Sequence, residues 1–227
     1  IKKGNIVTGK NLFKLSIKKT GESISKIPYV NSIEVRRELP DKLVISITES
    51  IPMAYVKIKD SYGVIDKNGK ALEKIKDTGV YNIPELLDIS AEKFTPSEKI
   101  SVKEEEKFKK TLEILRDLYN NNFIDKIKSV SVSENMIIFN VTDKLIIEMG
   151  SYEQFNSKIV MVKEIVATLN EDDFGTIDAS NADRVYFDRT MPEGAVDETE
   201  ETTDAAEETA PVSKPAQPAG PVEDVYE

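Results

Sequence analysis

Two stretches between residues 33 and 47 alternate between apolar and more polar side chains. Ile33 and Val35 alternate with charged neighbours, and the same period recurs from Leu43 to Ile47. A period of two is typical of half-buried strands, and the Pro-Asp pair between the stretches favours a turn. The pattern predicts a β-hairpin with one wet face, preceded by a helical turn from about Ser23 to Ile27.

The apolar pieces that follow predict a second sheet. Met53–Ile58 predicts a strand, and residues 63–65 lead into a tight turn at 66–69 whose glycine supplies a positive φ. Residues 71–72 continue the partner strand. Residues 73–101 are polar apart from short apolar pieces, and the sequence predicts that they are irregular.

Two amphipathic helices are predicted in the second half of the chain. Apolar residues recur at three- and four-residue spacing over 103–121 and again over 152–169. Alternating stretches between and after the helices predict further strands at 127–133, 136–142, 144–149, 175–178 and 185–187. The segments 175–178 and 185–187 are predicted to form either one last strand or a bulged pair.

The charges divide the chain at about residue 190. Residues 191–227 carry eleven acidic residues and one lysine, a net charge of −10, and residues 1–190 carry 30 of each sign. Glu, Thr, Ala and Pro dominate this tail, so it cannot bury enough apolar surface to offset chain entropy. We therefore predict a disordered acidic tail over 191–227. It could act as a solubilising spacer or as a partner-recruiting arm.

Composition excludes several kinds of chemistry. The chain contains no cysteine and no histidine, which rules out thiolate nucleophiles, Cys/His metal sites and histidine-based catalysis. The turn Asp66-x-Asn68-Gly69 could open a calcium loop, but its twelfth position is Asp77 instead of Glu, and a plain turn is favoured. We expect no enzymatic activity, no cofactor, no metal and no small-molecule substrate. A neutral folded part also gives no basic footprint for nucleic acid.

Short motifs between Gly9 and Gly69 carry a family resemblance. They are Gly-x-Asn-Leu-Phe at 9–13, Pro-Tyr-Val at 28–30, Leu-Pro-Asp at 39–41, Glu-x-x-Pro-x-Ala at 49–54 and Ile-Asp-x-x-Gly at 65–69. In this order they resemble the POTRA module and the following β domain of the bacterial cell-division family FtsQ/DivIB. Beyond residue 69 the resemblance depends mainly on the order of helices and strands.

The resemblance implies an α+β fold in three parts. Residues 1–50 would form a truncated POTRA-type β-hairpin module, because the family's first strand and helix precede the Gly-x-Asn-Leu-Phe segment. Residues 51–190 would form the FtsQ/DivIB-type β domain, a mixed or antiparallel sheet with two amphipathic helices. Residues 191–227 would be the tail.

The resemblance also implies a function. The chain would be the extracytoplasmic part of a non-enzymatic divisome adaptor that binds the coiled-coil proteins FtsL and DivIC (the FtsB counterpart) and helps septum formation. Its parent would be anchored in the cell membrane by a single transmembrane helix upstream of Ile1. The alternative is a POTRA-bearing chaperone or transport accessory that binds extended polypeptide segments.

Two surfaces are the candidate sites. The first is a β-strand edge open to a partner strand, formed by Thr176, Ile177, Asp178, Arg184, Val185, Tyr186, Phe187 and Asp188. The second is the surface of the predicted POTRA hairpin, formed by Arg36, Arg37, Leu39, Pro40 and Asp41. An exposed edge strand protected by its charged neighbours is the plainer interpretation of the first surface.

Overall fold

A computed structural model describes residues 12–170 and 172–190 of the chain. It begins with a 3-10 turn (Leu12–Lys14), α1 (Ile17–Ser25), β1 (Val30–Glu38) and β2 (Lys42–Glu49). β1 and β2 pair antiparallel with Ile33 opposite Ile47, which places the alternating apolar side chains on one face and confirms the predicted hairpin. The helix starts earlier than the predicted helical turn because Ser16 caps its N-terminus.

The rest of the described chain forms a ten-stranded sheet. Its strands are β3 (Pro52–Ile58), β4 (Ser61–Asp66), β5 (Ala71–Ile75), β6 (Glu85–Lys93), β7 (Ser101–Val102), β8 (Ser129–Val132), β9 (Ile137–Asn140), β10 (Leu145–Gly150), β11 (Gly175–Asp178) and β12 (Tyr186–Asp188). They lie in the order β12-β11-β10-β9-β8-β6-β3-β4-β5, with β7 paired to β6. The pairs β3–β6, β6–β8 and β10–β11 are parallel and the others antiparallel, so the predicted α+β class with a mixed sheet is confirmed.

The stretch 73–101 contains a central strand, and the prediction that it is irregular is wrong. β6 lies between β3 and β8 and runs parallel to both. Its buried residues Leu86, Ile89 and Ala91 are spaced by three and then by two, because the pairing with β3 shifts register within the strand. Such an irregularity breaks the period of two that identifies strands in a sequence.

Two helices cover one face of the sheet. They are α2 (Glu105–Asn120) and α3 (Phe155–Val166), and a 3-10 turn (Ile124–Lys126) follows α2. Phe108 of α2 and Ile159 of α3 are fully buried in one core cluster with Phe139 of β9. The Phe139 and Phe155 rings meet edge-on, with centroids 6.1 Å apart. Both predicted helices are confirmed, each a few residues shorter than predicted.

A smaller apolar cluster lies on the other face of β3, β4 and β5. Tyr55, Val64 and Leu72 are buried there, and the ring of Tyr29 packs against them. Tyr29 lies immediately before β1, so this cluster joins the hairpin to the sheet.

Polar contacts reinforce the same joint. The Tyr29 hydroxyl donates to Glu73 Oε1 at 2.5 Å, the Tyr81 hydroxyl donates to the same oxygen at 2.6 Å, and Lys70 Nζ donates to the Val30 carbonyl at 2.6 Å. These two hydroxyl donors hold the pKa of the Glu73 carboxyl below its usual value. Burial, followed by the hydrogen bond to Glu73, raises the pKa of Tyr29. Hydrogen bonds to a charged acceptor are the stronger kind, so the joint is well fixed.

The turn after β4 uses a buried carboxylate. Asp66 is 1% exposed and accepts hydrogen bonds from Asn68 N at 2.8 Å, Lys70 N at 3.0 Å and Ser50 Oγ at 3.0 Å. Gly69 has a φ of 76°, which glycine adopts without strain. The predicted tight turn is confirmed, and the chain itself supplies the donors to both carboxylate oxygens.

The predicted tail over 191–227 lies outside the described residues. The described residues all belong to one unit, residues 1–195, by their contacts. The division into a module at 1–50 and a domain at 51–190 stays a prediction. Among the described helices, none is long and apolar enough to cross a membrane.

Candidate partner-binding surfaces

The predicted strand segment 176–189 consists of two strands with different surroundings. β11 pairs in parallel with β10 and antiparallel with β12. Thr176, Ile177 and Asp178 therefore have a strand on each side, and the expectation that they lie at an open edge is wrong. In the described part of the chain β12 has a strand on one side alone, so the free main-chain edge belongs to β12.

The hydrogen bonds of β11 show which N–H and C=O groups of β12 face β11 and which face away from it. Gly175 N donates to the Lys144 carbonyl at 2.9 Å and Ala179 N donates to the Glu148 carbonyl at 2.8 Å. The odd-numbered residues of β11 thus direct their N–H groups to β10, and the even-numbered ones direct theirs to β12, because successive residues of a strand alternate. Thr176 lies opposite Asp188. Tyr186 and Asp188 therefore bond inward, and the N–H and C=O of Phe187 face the free side.

The side chains of β12 alternate in the same way. Phe187 and the preceding Val185 are half-buried and pack against the main core, whereas Tyr186 and Asp188 are exposed. The Arg189 guanidinium carbon lies 5.5 Å from the centroid of the Phe187 ring, a cation–π distance. β12 is thus held by an apolar inner face and one hydrogen-bonded side, and no strand within residues 12–190 as described pairs with its outer side.

The loop before β12 positions the remaining predicted edge residue. Arg184 is exposed and lies outside both strands. The backbone N–H of Ser180, at the start of this loop, donates to Asp178 Oδ1 at 2.8 Å. Arg184 therefore flanks the edge without forming part of its main-chain ladder.

One residue at this edge was missed by the sequence reasoning. Gly175 has a φ of 138°, and a Cβ built on it would lie 2.1 Å from the Asp188 carbonyl oxygen. β12 approaches this position so closely that only glycine fits. A glycine directly before an apolar strand is the signal that could have identified it.

The two arginines of the hairpin surface point in different directions. Arg36 is exposed, and its Nη2 lies 3.1 Å from Glu38 Oε1. Arg37 lies on the inner face, and its Nη2 donates to the Leu15 carbonyl at 2.6 Å. Because Arg37 is half-buried and bonded to the main chain, whereas Arg36 is exposed and pairs with the exposed Glu38, Arg36 is the one accessible to a partner.

The tip of the hairpin is exposed. Leu39, Pro40 and Asp41 are all exposed, and Leu39 shows 67% of its surface to solvent. A large aliphatic side chain at such a tip can insert into a partner's apolar pocket.

The base of the hairpin and the β12 edge lie at opposite ends of the ten-stranded sheet. The hairpin is joined to the sheet at Tyr29, beside β3–β5, whereas β12 is the last strand at the other end. Eight strand spacings separate β5 from β12, on the order of 40 Å in a flat sheet. The sites are therefore separate and can be tested independently. In the described part of the chain, no group of three or more acidic side chains is arranged to hold a metal ion.

Comparison with known proteins agrees with this architecture. Residues 1–50 match the family model "POTRA domain, FtsQ-type". The chain is 29% identical over 158 residues to the cell division protein DivIB of Clostridium botulinum (strain Hall), which covers 68% of this chain and 60% of that protein. It is 24% identical over 169 residues to the cell division protein FtsQ of Syntrophotalea carbinolica, covering 73% of this chain and 58% of that protein.

A third relative matches over a shorter length at higher identity. FtsQ of Corynebacterium glutamicum is 37% identical over 67 residues, or 30% of each chain. The POTRA match at residues 1–50 and the mixed sheet that follows agree with the POTRA module and β domain that the motifs predict. The resemblance to the FtsQ/DivIB family predicted from the motifs is confirmed. The chain spans about 60% of the length of the Clostridium and Syntrophotalea relatives.

Proposed function

We propose that this chain is the extracytoplasmic part of a non-enzymatic divisome adaptor. The observation that carries the proposal is the free edge of β12, where the N–H and C=O of Phe187 face away from the sheet. A partner segment can add to this edge as one further strand. The relatives are named cell division proteins, which supports a role in division.

The partners proposed are the FtsL-like and DivIC/FtsB-like division proteins. Adding one strand requires main-chain donors and acceptors that the sheet has not used, and β12 presents them. The opposite edge of the sheet is β5, and its main chain is already partly bonded. Ala71 N donates to the Glu98 carbonyl and Ser97 N donates to the Ala71 carbonyl, each at 2.8 Å. This asymmetry favours the β12 end as the binding edge.

The proposed location follows from the same role. The parent protein would be anchored in the cell membrane, with residues 12–190 outside the cytoplasm at the division septum. The hairpin surface around Arg36 and Leu39 would serve recruitment to the division site, separately from the binding edge.

The edge proposal is tested by a matched pair of substitutions at Phe187. Phe187→Ala removes the ring and keeps the N–H, whereas Phe187→Pro removes both. We expect Phe187→Pro to bind the extracytoplasmic region of the DivIC-like protein about five- to tenfold more weakly than Phe187→Ala, the worth of one main-chain hydrogen bond. Titration calorimetry with the full chain measures the difference.

Two controls complete this test. A melting temperature for Phe187→Pro close to that of Phe187→Ala shows that the sheet is intact. Arg36→Glu, at the distant hairpin, should leave binding unchanged. Equal affinities for the two Phe187 variants, together with loss of binding in Arg36→Glu, would place the binding surface on the hairpin and refute the proposal.

A further inference from the structure

A groove lies between the C-terminal ends of α2 and α3 and the turn that joins β9 to β10. Its volume is about 370 Å³. Phe123 and Leu145, each 3% exposed, line it together with the half-buried Val141, Val166 and Leu169. These five side chains belong to the main core or pack against it. We call this surface the helix-end groove.

The size of the helix-end groove suits a short segment. Eleven residues line it, whereas a stable protein–protein interface uses about 20–30 residues a side. Its volume falls at the lower end of the range of roughly 300–1,000 Å³ that is usual for ligand pockets. A few anchoring side chains can therefore fill it.

The main chain around the groove is already hydrogen-bonded. Three amides of the lining residues bond to carbonyls of the chain itself: Phe123 N to Leu118 O at 2.9 Å, Val141 N to Leu145 O at 3.0 Å and Leu169 N to Val166 O at 3.2 Å. An added strand would leave much of its own main chain unpaired against this surface. A helix bonds its own main chain, so a helical segment with apolar side chains at i and i+4 fits better.

Two lysines make the lining of the groove basic. Lys126 is exposed, and Lys163 Nζ donates to the Asn121 carbonyl, which leaves two of its three N–H donors. Asn121 caps the C-terminus of α2, so this ammonium also offsets the negative end of the helix dipole. Within the described residues no acidic side chain lines the groove, and neither lysine forms an ion pair.

These features decide which occupant fits. The chain's own residues 191–227 are acidic but contain no Leu, Ile or Phe that could serve as an anchor. A symmetric contact with a second copy would bring the same lysines together. A bilayer takes up protruding apolar side chains, whereas those of the groove are buried or half-buried. A segment of another protein with aliphatic and acidic side chains matches the apolar lining and the charge.

We propose that the helix-end groove binds a short amphipathic helix of another protein, in which two aliphatic side chains are flanked by Asp or Glu. Contact of the aliphatic side chains with Phe123 and Leu145 supplies affinity. The carboxylates pair with Lys126 and Lys163 and select an acidic partner. This contact uses side chains at the helix ends and is distinct from the main-chain edge of β12.

The binding test uses two fluorescent peptides that differ in charge. Both form a helix with two leucines four residues apart, flanked by glutamate in one peptide and by glutamine in the other. Fluorescence anisotropy measures their affinity for the full chain and its variants. The acidic residues 191–227 are the same in every variant, so their repulsion of the glutamate peptide cancels when variants are compared.

Ala167→Trp tests the place of binding. Ala167 is exposed and lines the groove at the C-cap of α3, so an indole there can occupy the groove. We expect both peptides to bind at least about tenfold more weakly. Thr168→Trp adds the same ring to the exposed neighbour, which does not line the groove, and should leave binding unchanged. With both variants melting close to the parent chain, equal affinities for them would overturn the proposal.

Lys126→Gln tests the charge. At low salt it should weaken binding of the glutamate peptide about threefold, as expected for one exposed ion pair, and leave the glutamine peptide unchanged. Lys109→Gln on the exposed side of α2 makes the same change in net charge and should have less than half this effect. Equal weakening by the two variants would contradict the selection of an acidic partner.

The other occupants are tested with the same groove-filling variant. Binding of the parent chain to phosphatidylglycerol vesicles that is lost in Ala167→Trp would assign the groove to a membrane. Dimerisation at high concentration that is lost in Ala167→Trp would assign it to a second copy. Either result would overturn the proposal. Phe187→Pro should leave peptide binding unchanged, so the outcome does not depend on the edge proposal.

Discussion

Gly175→Ala is expected to displace β12 from the sheet and to weaken partner binding at the β12 edge by at least about tenfold, while the helix-covered core stays folded. A Cβ at this position would lie 2.1 Å from the Asp188 carbonyl oxygen and 3.1 Å from Arg189 Cα. Both are backbone atoms of the β12 segment, so rotation of a side chain cannot relieve the contact. Faster hydrogen exchange of the β11–β12 amides, measured beside affinity for the DivIC-like partner, tests this expectation.

Gly79→Ala is the matched control for this substitution. Gly79 also has a positive φ, 99°, but a Cβ there meets no atom within 4 Å. Gly79→Ala therefore introduces backbone strain without a clash. It should leave hydrogen exchange in β11–β12 and partner binding unchanged. Normal exchange in Gly175→Ala would show that β12 is not displaced, and full affinity despite faster exchange would show that the partner binds elsewhere.

The hairpin and the helices could be predicted because their patterns are local. Ile33 and Val35 repeat with the period of a strand, and the stripe through Phe108 and Leu112 repeats with the period of a helix. Each of these elements buries one face, so a single period appears in the sequence. Their ends were less well predicted because terminal turns depend on caps such as Ser16.

The order of strands could not be predicted because it depends on distant pairing. β6 lies between β3 and β8 and is irregular in register, so the spacing of Leu86 and Ile89 hides it. The segment 176–189 presented the same difficulty at the candidate site. Its sequence indicates a last strand, but only the pairing shows that β11 is internal and that β12 supplies the edge.

The joint between hairpin and sheet was also beyond the reach of a pattern. Tyr29 and Glu73 are 44 residues apart, and Tyr29 and Tyr81 are 52 apart. Tyrosines and a glutamate with no common spacing give no signal in a single sequence. Folding brings them together because Tyr29 packs on the small cluster around Tyr55.

Glu73→Ala is expected to lower the free energy of unfolding by about 2 kcal/mol at neutral pH, since two hydroxyl donors lose a charged acceptor at a half-buried position. The effect should depend on pH. The folded-state pKa of Glu73 is depressed, so its stabilisation is fully present above the usual carboxyl pKa of about 4.3 and is lost as the pH falls through the lower folded value. Denaturant unfolding from pH 7 downwards, compared with the parent chain, measures this.

Glu92→Gln separates the joint from a general loss of negative charge. Glu92 is exposed on β6, so its removal should change stability by less than about 0.5 kcal/mol at any of these pH values. The difference between the parent chain and Glu73→Ala should stay constant above about pH 5 and shrink in acid. A difference that persists unchanged at pH 3 would mean that packing around Tyr29, rather than the ionised Glu73, holds the hairpin against the sheet.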